Sequence, residues 1–220
     1  MHMGESALAD TGRNFGLSGA ALKWIAMITM LIDHIGAVVM EYGLYYQGGA
    51  ETFRRLLDSG NGQWLYTFQR LMRMVGRPSF LLYSFLLVEG FFHTRSRKRY
   101  TFQMLLFALI SEIPFDLAAS NRWFYLGYQN VFFEFLIGLT VLWGMEQAVI
   151  FGKTPLTVEA GKIFAVALGC MAAVFIQADY DYIGIIIIAA FYEFHASRVG
   201  RSLSGSCTGR VGNTGFKLWV

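Results

Sequence analysis

The sequence predicts an all-α, polytopic bundle of membrane-spanning helices, about six of them. Three observations carry that expectation. Of the 220 residues, 55% are hydrophobic and only 15% charged, against about 25% charged in a soluble domain. Mean hydropathy is +0.44, more apolar surface than a chain of this size buries against itself, so the remainder must face lipid. The apolar residues also fall into six runs, most of them near the roughly 20 residues that a helix needs to cross a bilayer core of about 30 Å. A net charge of +3 and a pI near 8.9 do not call for nucleic acid. The basic residues lie in short loops between apolar runs, where they orient a chain in a membrane. Cys170 and Cys207 have neither a disulfide framework nor metal-ligand spacing, and no metal is expected.

Residues 1–20 form a polar N-terminal segment without the basic-then-apolar order of a cleaved signal peptide. The membrane domain is expected over 21–194. Its runs are 22–40, 74–92, 101–119, 130–151, 161–178 and 182–194, the last short for a crossing. A stretch before the second run, 63–77, has the pattern of an amphipathic helix. Arg70, Arg73 and Arg77 fall at i, i+3 and i+7 on one side. That stripe either lies against lipid phosphates or turns inward to hold an anion. The last segment, 195–220, is rich in Gly, Ser and Arg with no apolar period and reads as a disordered tail.

Lysines and arginines set the orientation. The loop after the second run carries Arg95, Arg97, Lys98 and Arg99, the densest basic cluster, and belongs in the cytoplasm. Alternation then places the N-terminus inside, with twelve of the 18 Lys and Arg. The six outside are Arg54, Arg55, Arg70, Arg73, Arg77 and Arg122. The expected location is a bacterial cytoplasmic membrane, with the lipid bilayer as the first partner.

Ionisable groups inside these runs need a reason, since each costs about 2.5–3.5 kcal/mol on insertion. Asp33 and His34 sit in the first run, roughly 18 Å along its axis and outward of the midplane. An imidazole there suits a general base, or else it serves with Asp33 as polar glue between helices. Thr29, Asp33 and Gly36 share one face; Lys23, Met27, Met30 and His34 share another. In the third run Glu112 and Asp116 lie at i, i+4 with Pro114 between them. Two like charges there repel, so one is protonated or an arginine clamps the pair. Pro114 removes a helix hydrogen bond, and a kink there would open a polar cavity. Asn130 and Glu134 share a face at the outer end of the fourth run, placed to bind substrate amides or to cap and pack. Asp179 and Asp181 fall in an outer loop, where solvation is the default. Glu89 and His93 sit at i, i+4 near the inner end of the second run. No Walker loop, GxGxxG turn or HExxH helix is present.

These residues resemble the TraX family, known for a conjugative pilin acetylase. The blocks that carry the resemblance are LKWIAMITMLIDHIGAVV, RMVGRPSFLLYSFLLVEGFFHTRSRKRY, FALISEIPFDLA, QNVFFEFLIGL and DYDYIGI. They span about 22–194 in a fixed order. The resemblance implies a membrane acyltransferase that carries an acetyl group from cytoplasmic acetyl-CoA to an acceptor at the outer face, a pilin N-terminus or another envelope component. His34 would be the base or transient acyl carrier, supported by Asp33. Arg73 and Arg77 would hold anionic groups, and Glu112 and Asp116 would shape the acceptor side. The family continues with further helices, including an Asn-Gly turn and a late Tyr-Pro-His motif. Here the apolar pattern stops after Phe194, so a truncation or a shifted reading frame is expected near His195. A small proton-coupled transporter or channel, and a non-catalytic envelope assembly factor, are the readings from other classes. Intramembrane His and carboxylates also mark proton paths.

Overall fold

A computed structural model describes residues 18–46, 51, 54–55, 58–120, 122–123, 125 and 127–206. Among these residues the chain is a helical bundle, as the composition requires. Helix α1 spans Gly19–His34, capped by the Ser18 hydroxyl, which accepts from the Ala21 N–H at 3.1 Å. The same rod then widens to π-helical pitch over Ile35–Tyr46. Helix α2, Gly60–Gly76, begins at Ser59, whose hydroxyl accepts from the Gly62 N–H. Helix α3, Pro78–His93, follows after the single residue Arg77. The others are α4 (Arg97–Ser120), α5 (Val131–Phe151), α6 (Pro155–Ile176) and α7 (Asp181–Ser206).

Five stretches are long and apolar enough to cross a membrane: Gly19–Met40, Gly62–His93, Arg97–Ala118, Val131–Phe151 and Pro155–Ile176. Helix α7 supplies a sixth, with Ile185 and Ile188 buried and Ile183 and Ile186 facing outward. Its outward apolar residues have many counterparts, such as Trp24, Ile163, Phe164 and Phe175. An apolar surface of this extent is stable only against hydrocarbon. The chain is a multi-pass membrane protein.

The core lies where α3, α5 and α7 meet. Phe80, Leu87, Val88 and Phe91 from α3 pack with Phe135, Leu139 and Leu142 from α5 and with Ile185, Ile188 and Tyr192 from α7. Helix α1 packs on α3 and α2; α4 packs along α5; α6 closes against α5 and α7. Side-chain caps start both α5 and α6. Asn130 caps α5, and Thr154 with Thr157 forms a capping box on α6, with Pro155 in its first turn.

Two boundaries differ from the sequence reading. The second span, expected from residue 74, starts earlier, because the amphipathic helix leading into it is continuous with it over Gly62–His93. Arg77 is itself right-handed α (φ −52, ψ −37) and its N–H bonds the Arg73 carbonyl at 3.0 Å, so α2 runs on into α3 across Pro78. Proline at a first helical position loses no bond the helix needs. The second difference is at α7, which continues from Phe194 to Ser206 rather than giving way to a tail at residue 195. His195 supplies the reason: its ring stacks on Phe92 at 4.2 Å, and Nδ1 lies 3.3 Å from Glu89. These contacts hold the next turn of α7 against the end of α3. The remainder of the expected tail, 207–220 with Cys207, and most of the polar segment 1–20 lie outside the described residues.

Candidate active site in the bundle

The helix ends joined by the loops 122–130 and 177–180 surround a cavity of about 660 Å³, within the range of small-molecule sites. The basic loop at 94–96 is at the opposite end of α3. Five of the seven residues singled out from sequence line the cavity: Asp33, His34, Arg73, Asp116 and Asn130.

The first three are brought together by close helix packing. Gly36 faces α2, where an added Cβ would lie 3.1 Å from Met72 Cβ and 3.5 Å from Arg73 Cδ. Gly76 is tighter still: a Cβ there would lie 2.7 Å from both Cα and Oδ1 of Asp33. Only glycine admits this approach. The face shared by Asp33 and Gly36 is therefore the face that meets α2. Arg73 Nη1 donates to Asp33 Oδ2 at 2.6 Å, with the guanidinium side chain 32% exposed and the carboxylate 17%. Asp33 Oδ1 has no hydrogen-bond partner.

His34 points into the cavity from the neighbouring face. Its Nδ1 is 2.9 Å from the Met30 carbonyl oxygen. A carbonyl only accepts, so Nδ1 carries the hydrogen. In the neutral ring Nε2 is then the unprotonated nitrogen, with its lone pair available.

The arginine stripe does not act as a unit. Arg73 alone turns inward. Arg70 is exposed and donates to the Tyr66 hydroxyl at 3.2 Å, and Arg77 is exposed and outside the cavity lining. Helix geometry gives the reason: once Gly76 and Gly36 fix which face of α2 meets α1, only the residue one turn before Gly76 reaches Asp33.

No arginine clamps Glu112 and Asp116 among the described residues. Asp116 Oδ2 accepts the Tyr125 N–H at 2.7 Å. Glu112 accepts from the Asn130 backbone N–H at 3.4 Å and from the Asn130 side-chain amide. Neutral donors thus serve both carboxylates. Asn130 also donates to the Ala108 carbonyl at 2.9 Å and accepts the Phe132 N–H, capping α5. Glu112 acts on the cavity only through Asn130. Pro114 and Ser111 line the cavity while α4 continues as one helix through them.

Three further residues complete the site, and the sequence reading missed them. Asp179, expected to be solvated, lines the same cavity as His34 and Arg73, and the Arg73 charge acts on it. The Tyr128 hydroxyl donates to Asp179 Oδ1, and Tyr128 stacks on Phe115 at 5.7 Å. Tyr180 stacks on Phe80 at 3.7 Å. The loop is fixed from both sides. Gln129 N–H donates to the Gln177 carbonyl, and Gln177 (φ 55) and Asp181 (φ 50) both take left-handed backbone. Two such non-glycine residues flanking one loop are uncommon, and strain of this kind gathers at functional sites. Burial pushes the Asp179 carboxyl above its ordinary value, against the Tyr128 hydrogen bond and the Arg73 charge. Burial likewise raises Tyr128, as does the Asp179 charge, and pushes Tyr180 up to about 12. The signal available in the sequence was the Asp179-Tyr180 pair itself, a carboxylate beside an aromatic in a four-residue loop between two helices.

Glu134, on the same helix face as Asn130, lies behind Phe80 and Tyr180 instead of in the cavity. It is fully buried against Gly184, with the Tyr180 backbone N–H as its polar neighbour.

Comparison with known proteins extends the match beyond these residues. The family described as TraX protein matches residues 18–213, past Phe194, where the apolar pattern ends. The probable fimbrial assembly protein FimC, serogroup H1, of Dichelobacter nodosus is 32% identical over 199 residues, covering 87% of this chain and 68% of that protein. No solved structure matches. With a family match over nearly the whole chain and a relative of this identity, the chain belongs to the TraX family.

Proposed function

We propose that the protein is a membrane-embedded acetyltransferase, using acetyl-CoA as co-substrate and acting at the outer face of a bacterial cytoplasmic membrane. The observation that carries this is His34: Nδ1 is committed to the Met30 carbonyl, so Nε2 presents its lone pair to a cavity that also holds Arg73. The relative named as a fimbrial assembly protein favours a pilin or another envelope component as acceptor. The N-terminus lies inside by the Lys and Arg count.

The chemistry follows from those groups. The acceptor amine attacks the thioester carbonyl carbon, and Nε2 of His34 takes the proton that the nitrogen sheds. A C–N bond forms as the C–S bond breaks, and the departing thiolate takes the proton from His34. Charge develops on the carbonyl oxygen at the tetrahedral stage. The Arg73 guanidinium, fixed by Asp33, is the cation that meets it. Transient acylation of Nε2 is the alternative use of the same atom. Arg95, Lys98 and Arg99, exposed and in no ion pair among the described residues, draw a phosphate-bearing co-substrate to the other end of α3, about 24 Å away at 1.5 Å per residue.

The test is reconstitution. Wild-type protein in proteoliposomes should transfer labelled acetyl to an acceptor peptide. His34→Ala should insert normally and lose at least about 10²-fold in rate, the usual reach of general base catalysis. Transfer that survives His34→Ala would end the proposal. The fully buried Glu134 supports the transporter reading as runner-up. Acyl-CoA-independent proton or solute flux in the same liposomes would favour it.

A further inference from the structure

Acetylation of an amine at neutral pH has two protons to place. An α-amino group, with an ordinary pKa of about 7.7–8.0, is mostly ammonium, and an ammonium has no lone pair to attack with. One proton must leave before the C–N bond forms and a second after it. His34 Nε2 takes the second and returns it to the departing thiolate. The first needs another acceptor in the cavity.

Among the described residues three carboxylates line that cavity: Asp33, Asp116 and Asp179. Two of them are engaged. Asp33 holds the Arg73 guanidinium at 2.6 Å. Asp116 is 1% exposed and accepts the Tyr125 N–H at 2.7 Å. Asp179 is half-buried, and its side chain accepts from one donor among the described residues, the neutral Tyr128 hydroxyl at Oδ1, which leaves Oδ2 open. The charged and titratable groups around it are Asp33 and His34 on α1, Arg73 on α2, Glu134 on α5, Asp181 at the start of α7, and Tyr128 and Tyr180 on the loops. Asp33 offsets Arg73, so no uncompensated cation fixes Asp179 in its ionised form. Burial favours the uncharged carboxyl, and it favours an uncharged amine for the same reason. A carboxylate and an ammonium brought together there are both relieved by the passage of one proton from nitrogen to oxygen.

We propose that Asp179 is the base that makes the acceptor a nucleophile: its Oδ2 takes a proton from the ammonium nitrogen before His34 acts. This rests on the acyl-transfer reading. The N–H bond breaks, an O–H bond forms on Asp179, and the nitrogen keeps the electron pair that attacks the thioester carbonyl carbon. Tyr128 is a positioning residue, holding the carboxylate through Oδ1. The new acid gives its proton to water at the rim, where Tyr128 is 39% exposed. One ammonium and one thioester thus yield one amide, one thiol and one free proton.

Two acceptor peptides that differ at one end test this in proteoliposomes. One ends in alanine with a free α-amino group. The other ends in an aminooxy group, whose nitrogen is already unprotonated at neutral pH. Rates are read as kcat at saturating peptide, less the uncatalysed reaction. At pH 7, Asp179→Asn should slow transfer to the alanine peptide roughly tenfold more than transfer to the aminooxy peptide, the factor by which protonation depletes the free α-amine. That gap should close by about pH 9, where the α-amine is free in solution. A structural role for Asp179 would slow both peptides alike, so equal losses at every pH overturn the proposal. Asp179→Glu keeps a carboxylate and should restore the ratio of the two rates toward wild type, even where both rates are low. A ratio as poor as that of Asp179→Asn also overturns it. Wild-type protein that acetylates neither peptide removes the acyl-transfer reading and the role of Asp179 with it. Wild-type transfer with equal losses in Asp179→Asn removes the role of Asp179 alone.

Discussion

Replacing Gly76 by alanine should disable the site from a position that lines none of it. The new Cβ would lie 2.7 Å from Asp33 Cα and Oδ1, and closer to Asp33 Cβ. Carbon atoms rest at about 3.5–4.0 Å, so α1 and α2 must separate by roughly 1 Å or Asp33 must turn away. Either movement stretches the 2.6 Å Asp33–Arg73 contact past hydrogen-bonding range. Overpacking of this kind costs about 1–3 kcal/mol, and a misplacement of about 1 Å among reacting groups costs on the order of 10²-fold in rate. Gly76→Ala should therefore insert, melt at lower temperature in detergent and transfer acetyl about 100-fold more slowly. Gly36→Ala is the control. Its Cβ would meet Met72 Cβ at 3.1 Å, a clash relieved by a shift of a few tenths of an ångström, so its rate loss should stay under about tenfold. A Gly76→Ala protein with wild-type rate and melting temperature, or equal losses in the two variants, would refute the reasoning.

Two further substitutions probe the supports of the cavity. Asn130→Ala removes the α5 cap, worth about 1 kcal/mol, and takes the side-chain donor from Glu112, worth about 1–3 kcal/mol. Unfolding in detergent should show a loss of roughly 2–4 kcal/mol, and a loss no larger than a cap alone would remove Glu112 from the argument. Asp179→Asn should stabilise the protein in a pH-dependent way. The Asp179 carboxyl is raised on folding, chiefly by burial, so the folded state binds more protons and stability falls as pH climbs from the ordinary carboxylate value through the raised one. The asparagine escapes that penalty. Its melting temperature should exceed wild type at pH 8, by about 2–4 °C per kcal/mol recovered, and the gap should close toward pH 4. A gap that does not vary with pH would mean that Asp179 carries no burial penalty.

Much of this architecture was legible because hydrocarbon imposes a simple rule: long apolar runs must be helices. The same rule made Asp33 and His34 conspicuous. The Asp33–Gly36 face was readable from 3.6-residue periodicity, and the structure sets that face on α2. What periodicity does not give is which helix stands opposite. Arg70, Arg73 and Arg77 look equivalent in the sequence, and only the Gly76 contact selects Arg73. Glu112 and Asp116 invited an arginine on charge alone, yet Asn130 and the Tyr125 amide reached them first through the fold of the loop 122–130. Asp179 was hidden for the opposite reason. Loop carboxylates are usually solvated, and its placement depends on Tyr128, 51 residues away. At the C-terminal end, composition alone could not show that His195 has Phe92 and Glu89 to hold it.

The ion pair between Asp33 and Arg73 spans 40 residues of chain, and a ribosome makes its two halves in order. The first span reaches the membrane-insertion machinery while its carboxylate still lacks a cation, at a cost of a few kcal/mol for a charge among lipids. Arg73 emerges afterwards, at the head of the next span. The stable unit delivered to the bilayer is thus the hairpin of α1 with α2 and α3. The first helix by itself should be a hesitant passenger, lodging firmly only once its partner has come through.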